Sequence, residues 1–145
     1  MKILVDADAC PVKDIIVKVA KEFSLEVFMF IDTSHILDDD YSHIITVGQA
    51  KDAVDIALIN YTEKGDIVVT QDYGVASMVL GKQAYAINYN GLIYDANNID
   101  RLMFERYLSQ KIRRAGGRTF GPKKRNKEAD LQFEKALREL CKHIC

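Results

Sequence analysis

Short apolar runs alternate with helical patterns over the first 90 residues of this 145-residue chain, and this alternation limits the possible folds. Parallel strands need long crossovers, and helical crossovers cover both faces of a sheet, so the pattern favours an α/β fold. The strand-like runs are 2–6, 25–31, 43–47, 66–70 and 84–88. We predict an open parallel sheet with helices on both faces, for which right-handed crossovers favour the strand order 3-2-1-4-5.

The composition is typical of a globular domain. Hydrophobic residues make up 48% and charged residues 28% of the chain, which excludes a disordered or collagen-like protein. No apolar run approaches the roughly 20 residues of a membrane-spanning helix. The three cysteines are an odd number without a CxxC motif, which argues against a disulfide framework and a structural zinc site. We predict one cytoplasmic domain over 1–145, with no membrane partner.

The last third of the chain forms a basic helical extension at about 97–145. We expect Asn97 to cap a first helix, which ends at Gly116-Gly117, and a closing amphipathic helix over 129–144. The apolar stripe of the first helix consists of Ile99, Leu102, Met103, Tyr107, Leu108 and Ile112. We interpret the stripes of both helices as core contacts, because helical spacing of this kind usually marks a buried face.

Charge is distributed unevenly along the chain, although the formal net charge is only −1. The first hundred residues carry 16 acidic and 7 basic side chains, whereas the remaining 45 carry 5 acidic and 13 basic ones. This asymmetry indicates an anionic partner for the C-terminal third and a cation for the acidic part. A solvated basic helix and tail would produce the same pattern without any partner.

Acidic residues follow two of the predicted strands. Asp6 and Asp8 come after the first strand, and Asp72 follows the fourth. In the order 3-2-1-4-5 these strands are neighbours across the point where strand order reverses, which is where open α/β sheets bind ligands. We therefore expect Asp6 and Asp72 to face each other at this crevice. Ordinary strand-end turns are the alternative, because aspartate is common in turns.

Asp55 adds a third point to this pattern. It lies inside the apolar run 53–59 of a predicted helix over 50–61, where a carboxylate is expensive to bury without a partner. Carboxylates that converge on one place repel each other unless a cation neutralises them, and Mg²⁺ or Mn²⁺ suits oxygen ligands. Such an ion can polarise a phosphoryl oxygen and activate water for in-line attack.

The same residues carry a resemblance to a known family. The segment Asp6-Ala7-Asp8-Ala9-Cys10-Pro11-Val12, the helix segment 52–55, the strand and turn 65–76, and the C-terminal pieces 113–117 and 121–122 resemble the YaiI/YqxD family of bacterial proteins over essentially the whole chain. That family is similar to PIN-like nucleases. The resemblance implies Asp6, Asp55 and Asp72 as catalytic metal ligands and Asp8 as an auxiliary ligand.

The leading hypothesis is a Mg²⁺- or Mn²⁺-dependent nuclease, with RNA as the favoured substrate. Basic side chains of the C-terminal third would neutralise backbone phosphates. They are Arg113, Arg114, Arg118, Lys123, Lys124 and Arg125. One alternative is a haloacid-dehalogenase-type phosphatase, because Asp6-x-Asp8 after an apolar strand resembles its nucleophile and acid/base pair. A non-catalytic module that binds nucleic acid or a protein partner is the other, and the sequence assigns no oligomeric state.

Overall fold

The structure is a computed structural model that describes residues 1–32, 39–117 and 124–144. Six strands form one sheet in the order β3-β2-β1-β4-β5-β6. They are β1 (Lys2–Asp6), β2 (Glu26–Asp32), β3 (His43–Val47), β4 (Ile67–Val69), β5 (Tyr85–Ile87) and β6 (Ile93–Tyr94). The first five pair in parallel, which confirms the predicted α/β fold and the order 3-2-1-4-5.

The sixth strand extends the predicted sheet at the β5 edge. β6 pairs antiparallel with β5 and is only two residues long, too short for an alternating pattern in the sequence. A tight turn connects the two strands, in which the Asn88 side chain accepts hydrogen bonds from the backbone N–H groups of Asn90 and Leu92, both at 2.9 Å. Gly91 in this turn has φ +91°, a conformation that favours glycine.

Five helices lie in the described parts of the chain. They are α1 (Lys13–Glu22), α2 (Ala53–Tyr61), α3 (Tyr73–Gly81), α4 (Ala96–Arg114) and α5 (Lys127–Ile144). The predicted cap of α4 is wrong, since Asp95 rather than Asn97 precedes the helix. The Asp95 carboxylate accepts from the N–H groups of Asn97 and Asn98 at 2.8 Å, and Asn98 accepts in return from the Asp95 N–H. None of the helices in the described ranges is long and apolar enough to cross a bilayer.

Hydrophobic cores lie on both faces of the sheet, because successive strand residues point to opposite sides. Ile3 and Val5 of β1 pack with α1 and α5, whereas Leu4 packs in a second core with residues of α2, α3 and α4. β1 is therefore covered on both faces, as the near-continuous apolar run at 3–5 predicts. This burial of β1 sets the position of Asp6, its last residue, at the edge of the sheet.

The two C-terminal helices differ in how they use their apolar stripes. The stripe of α5 is buried, with Phe133 and Leu137 fully enclosed, so its predicted core role is confirmed. The same prediction for α4 is wrong: Ile99 is buried and Leu102 is half-buried, but the later apolar residues of the stripe are exposed. Only the first two turns of α4 are packed in this way, while α5 packs against α1.

A buried carboxylate ties β1 to β4 at the end of the sheet opposite the acidic strand ends. Asp66, just before β4, accepts hydrogen bonds from the Lys2 backbone N–H at 3.1 Å, the Lys2 ammonium at 2.7 Å and the Glu63 N–H at 2.8 Å. The Asp66 side chain is 3% exposed. Its three donors compensate for the cost of burying the charge.

We expect Asp66→Ala to lower the free energy of unfolding by about 3 kcal/mol, because it removes the acceptor of two N–H groups and the buried partner of the Lys2 ammonium. Urea unfolding at pH 7 measures this change. Glu63→Ala is the matched control: its carboxylate also contacts the Lys2 ammonium at 3.1 Å but is 80% exposed. The control should cost less than about 1 kcal/mol, and equal effects in the two variants would contradict the assigned role.

Candidate functional site

A cleft lies at the carboxyl ends of β1 and β4. Asp6 is the last residue of β1, Asp8 follows it by two, and Asp72 precedes α3. The cleft has a volume of about 770 Å³, and these three carboxylates lie along it. α4 forms the facing wall through Leu102, Glu105, Arg106, Ser109, Gln110 and Arg113. The strand order thus brings Asp6 and Asp72 to one crevice, as predicted.

A smaller cavity of about 210 Å³ also contains Asp6 and Asp8 in its lining. Its other acidic residues are Asp32, Asp52 and Asp55. Asp6 and Asp8 are therefore shared by both cavities, with Asp72 in one and Asp55 in the other. All four predicted carboxylates gather around the end of β1.

The Asp6 carboxyl is held in a largely buried position. Burial, followed by the negative charges of Asp55, Asp8 and Asp72, raises the pKa of Asp6 to about 6, while a hydrogen bond from Thr70 acts in the opposite direction. The Thr70 hydroxyl donates to Asp6 Oδ2 at 3.5 Å. The Asp6 carboxyl therefore keeps its proton to a higher pH than an ordinary exposed aspartate does.

Buried groups behind the strand ends position the acidic residues. Thr70 is fully buried, and its hydroxyl accepts the Asp72 N–H at 3.1 Å while pointing its proton toward Asp6. The Tyr89 hydroxyl donates to the Asp6 backbone carbonyl at 2.9 Å. Gln71 accepts the Tyr89 N–H through its side chain at 2.8 Å. These contacts join the ends of β1, β4 and β5.

Asp72 has a structural role in addition to its place in the cleft. Its Oδ1 accepts the Val75 N–H at 3.0 Å and caps α3. A Cβ at Gly74 would lie 3.1 Å from this oxygen, so the glycine leaves room for the cap. The turn role considered for Asp72 therefore holds, together with its position in the cleft.

The structural context of Asp55 differs from the sequence interpretation. α2 begins at Ala53 rather than at residue 50, which places Asp55 in the first helical turn. There the positive end of the helix dipole stabilises a carboxylate, so the interpretation of Asp55 as a carboxylate in the interior of a helix over 50–61 is wrong. Burial and the charges of Asp72 and Asp52 nevertheless raise the pKa of Asp55. Its electrostatic coupling to Asp72 supports including it in the site.

Asp8 is oriented by the neighbouring strand. Its carboxylate accepts the N–H of Asp32, the last residue of β2, at 3.3 and 3.5 Å. Asp8 is half-buried and lies in the lining of both cavities. This position fits the auxiliary role that the family resemblance implies.

The donor set consists of carboxylate oxygens, which are the ligands that Mg²⁺ and Mn²⁺ prefer. Within the described ranges, no three His, Cys, Asp or Glu side chains come close enough together to hold an ion between them. Mg²⁺ usually keeps several waters and binds directly to one or two carboxylates and to substrate phosphates. The open arrangement of Asp6, Asp8, Asp55 and Asp72 fits that mode rather than an all-protein cage.

The predicted basic residues occupy different surroundings. Arg113 contributes to the α4 wall of the cleft, and Arg114 lies exposed at the end of the helix. Lys124 is exposed, while Arg118 and Lys123 lie outside the described residues. Among the predicted phosphate-binding residues that the structure describes, Arg113 is the one in the lining of the cleft with the carboxylates.

Arg125 holds two parts of the fold together. Its guanidinium donates to Asp130 Oδ1 at 2.7 Å, to Asn90 Oδ1 at 2.9 Å and to the Tyr89 carbonyl at 2.7 Å. These bonds link the start of α5 to the turn after β5, and so to the tyrosine that supports Asp6. Its phosphate-contacting role stays a prediction.

Sequence reasoning missed several residues of the cleft. Arg106 lies over the Tyr73 ring, with 6.0 Å between its guanidinium carbon and the ring centroid, and both residues face the cleft. The helical spacing of Leu102, Arg106, Ser109 and Arg113 marks one face of α4 and is visible in the sequence. The apolar stripe instead led us to predict core contacts on a different face of this helix. Thr70 and Tyr89 carry no signal in the sequence beyond their strand-end positions.

The chain matches known proteins along nearly its whole length. The model of a family described as "Uncharacterized BCR, YaiI/YqxD family" matches residues 4–143. A UPF0178 protein of Ruminiclostridium cellulolyticum is 67% identical over 137 residues, covering 94% of this chain and 90% of the relative. A UPF0178 protein of Lachnoclostridium phytofermentans is 55% identical over 147 residues, covering 99% of each. No solved structure matches the chain.

We expect Asp6→Asn to stabilise the protein at pH 7 in the presence of a chelator. The folded-state pKa of Asp6 lies near 6 and above its unfolded value, so the wild type loses stability as pH rises from about 4 to 6. Asp6→Asn lacks this loss. The difference in free energy of unfolding between the variant and the wild type should therefore grow by about 2 to 3 kcal/mol between pH 4 and pH 7. Urea unfolding across this pH range measures it.

Asp40→Asn removes one carboxylate from an exposed position and serves as the control for overall charge. Its stability difference from the wild type should stay nearly constant over the same pH range. A flat profile for Asp6→Asn as well would refute the electrostatic coupling at the end of β1.

Proposed function

Because the chain belongs to the YaiI/YqxD family, and the names of its relatives specify no reaction, we propose its function from the site: a Mg²⁺- or Mn²⁺-dependent nuclease that hydrolyses phosphodiester bonds. The carrying observation is the pairing of opposite charges across one cleft. Asp6, Asp8 and Asp72 lie on the strand-end side, and Arg106 and Arg113 lie on the α4 side. A phosphodiester is an anion, so arginine side chains can bind it. Its hydrolysis also needs a metal ion that polarises the phosphoryl oxygen, and carboxylates can hold that ion. The resemblance to PIN-like nucleases favours RNA.

The carboxylates would hold the metal from two directions. Asp6 and Asp72 come from neighbouring parallel strands, while Asp8 and Asp55 contribute charge from the sides. When bound, Mg²⁺ or Mn²⁺ supplies polarisation of a phosphoryl oxygen and activation of water. Burial and the negative charges of neighbouring carboxylates raise the pKa values of Asp6 and Asp55. A bound cation would relieve the part of this shift that comes from repulsion, which supports the assignment.

The chain's own residues would bind and orient the substrate. The Arg113 guanidinium would donate two hydrogen bonds to a phosphate, a geometry that lysine does not offer. The Thr70 hydroxyl would hold the Asp6 carboxylate and the Asp72 backbone at a constant separation, because it bonds to both. Arg106, stacked over Tyr73, would add positive charge on the same wall. The cytoplasmic location predicted from the cysteines is part of this proposal.

We expect Asp72→Asn to reduce hydrolysis of labelled single-stranded RNA at least about 100-fold with Mn²⁺ present. Asparagine also caps helices, so the bond to the Val75 N–H is retained and the loss reports on charge. Manganese titration followed by thermal unfolding measures metal binding separately. RNA binding, measured by fluorescence anisotropy without metal, should change little.

Asp95→Asn is the matched control, because Asp95 caps α4 as Asp72 caps α3 but lies outside both cavities. Unchanged hydrolysis by Asp72→Asn would eliminate the nuclease proposal. RNA binding without hydrolysis by the wild type would instead indicate a non-catalytic module. Covalent phosphate trapped on Asp6 would indicate the phosphatase alternative.

We expect Arg113→Ala to weaken RNA binding and to reduce the slope of log binding constant against log salt concentration by about 1, because one phosphate contact is lost. Lys64→Ala is the control, since Lys64 is an exposed cation in the turn before β4, at the other end of that strand. An unaltered salt slope for Arg113→Ala would show that this residue contacts no phosphate.

A further inference from the structure

The two faces of α4 are chemically different. One face forms the cleft wall and carries Arg106, Ser109 and Arg113. Another side carries Met103, Phe104, Tyr107, Leu108 and Ile112, with exposed fractions from 42% to 58%. Met103 and Tyr107, at the edge of this side, also border a small cavity beside Asp72 and Tyr73. The five apolar residues recur at spacings of one, three and four, so they form one continuous stripe on the helix. We call this set the outer stripe of α4.

The outer stripe is a contiguous group of large apolar side chains that are partly exposed to solvent. Beyond Leu102 the described residues leave its five apolar side chains about half exposed. Isolated apolar residues are ordinary on a surface, but a contiguous stripe of large ones marks an interaction site. The cleft wall formed by the second half of α4 therefore lacks apolar packing behind it in the described parts of the chain.

Two charged residues at the ends of the outer stripe, Asp100 and Lys111, are complementary to each other. Asp100 lies one turn before Phe104, and Lys111 lies one turn after Tyr107. Reversing the helix direction exchanges Asp100 with Lys111, Phe104 with Tyr107, and Met103 with Leu108. An antiparallel pair of these helices would thus place each Asp100 opposite Lys111 of the second copy, around an apolar centre. A two-fold axis requires this kind of self-complementary surface.

We propose that a second copy of this chain packs its α4 antiparallel across the outer stripe and forms a two-fold dimer. The partner helix buries the apolar side chains and supports the cleft wall from behind, while Arg106 and Arg113 stay on the cleft side. Two clefts then face outward from a central helix pair. The proposal stands on the exposed stripe and its charge pattern and does not depend on nuclease activity.

Nucleic acid is the competing occupant of this surface. Phe104 and Tyr107 stack with ring centroids 6.4 Å apart, and the Lys111 ammonium lies 5.3 Å from the Tyr107 centroid. Aromatic rings and cations of this kind also bind single strands. Met103, Leu108 and Ile112 favour a protein partner, since aliphatic side chains offer bases no stacking surface. The acidic Asp100 on the same face would repel phosphate.

Sedimentation equilibrium of the full chain over a wide concentration range tests the proposal. We expect the wild type to dimerise reversibly. Asp100→Lys and Lys111→Asp should each weaken the dimer at least about tenfold, because two-fold symmetry turns both ion pairs into like-charge contacts. The double variant exchanges the charges and should restore dimerisation to within about threefold of the wild type.

Phe104→Asp tests the apolar centre, with Leu131→Asp as its control. Leu131 is 68% exposed on α5, so its replacement should leave both folding and association unchanged. Phe104→Asp should give a folded monomer by circular dichroism. A wild type that stays monomeric at all concentrations would overturn the proposal, as would a double variant no better than the single ones. Loss of RNA binding in Phe104→Asp without a change in association would assign the stripe to nucleic acid.

Discussion

Parallel pairing of β1 with β4 determines where the central carboxylates of the proposed site lie. The register places Val5 beside Val69, so the residues that follow, Asp6 and Thr70, emerge together at one edge of the sheet. The Thr70 hydroxyl then connects Asp6 with the Asp72 backbone. At the other end of the same strands, the buried Asp66 fixes their relative position. A shift in this register would move Asp6 and Asp72 apart and disrupt the cleft.

The cost of this arrangement is electrostatic. Burial and three neighbouring carboxylates raise the pKa of Asp6 to about 6, so the folded protein holds a charge cluster that the unfolded chain would disperse. Asp72 caps α3, and Asp55 lies in the first turn of α2. At both positions the helix N-terminus stabilises the carboxylate and offsets part of the repulsion. Helix starts therefore stabilise two members of a cluster that would otherwise oppose folding. A divalent cation would remove what remains of the repulsion.

α4 connects the proposed chemistry with the proposed assembly. Its first turns are anchored by Ile99 and Leu102, and its later turns carry the cleft cations on one side and the outer stripe on the other. A helix anchored at one end positions Arg106 and Arg113 less firmly than one packed along its length, because its outer side makes few apolar contacts in the described residues. Dimerisation would supply that packing and would therefore help to hold Arg106 and Arg113 in position at the cleft.

The sequence by itself determined the α/β class and the strand-end position of Asp6, Asp8 and Asp72, because the alternation of strands and helices can be read along the chain. It favoured the order of the first five strands through the right-handed crossover rule, and pairing in the structure decided that order. The tertiary structure decided which face of α4 is buried, since periodicity shows that a stripe exists but not whether another element covers it. It likewise decided that Asp55 lies in the first turn of α2 rather than in the middle of a longer helix, and that Thr70 and Tyr89 support Asp6. Such contacts depend on distances between residues far apart in the chain, which only packing sets.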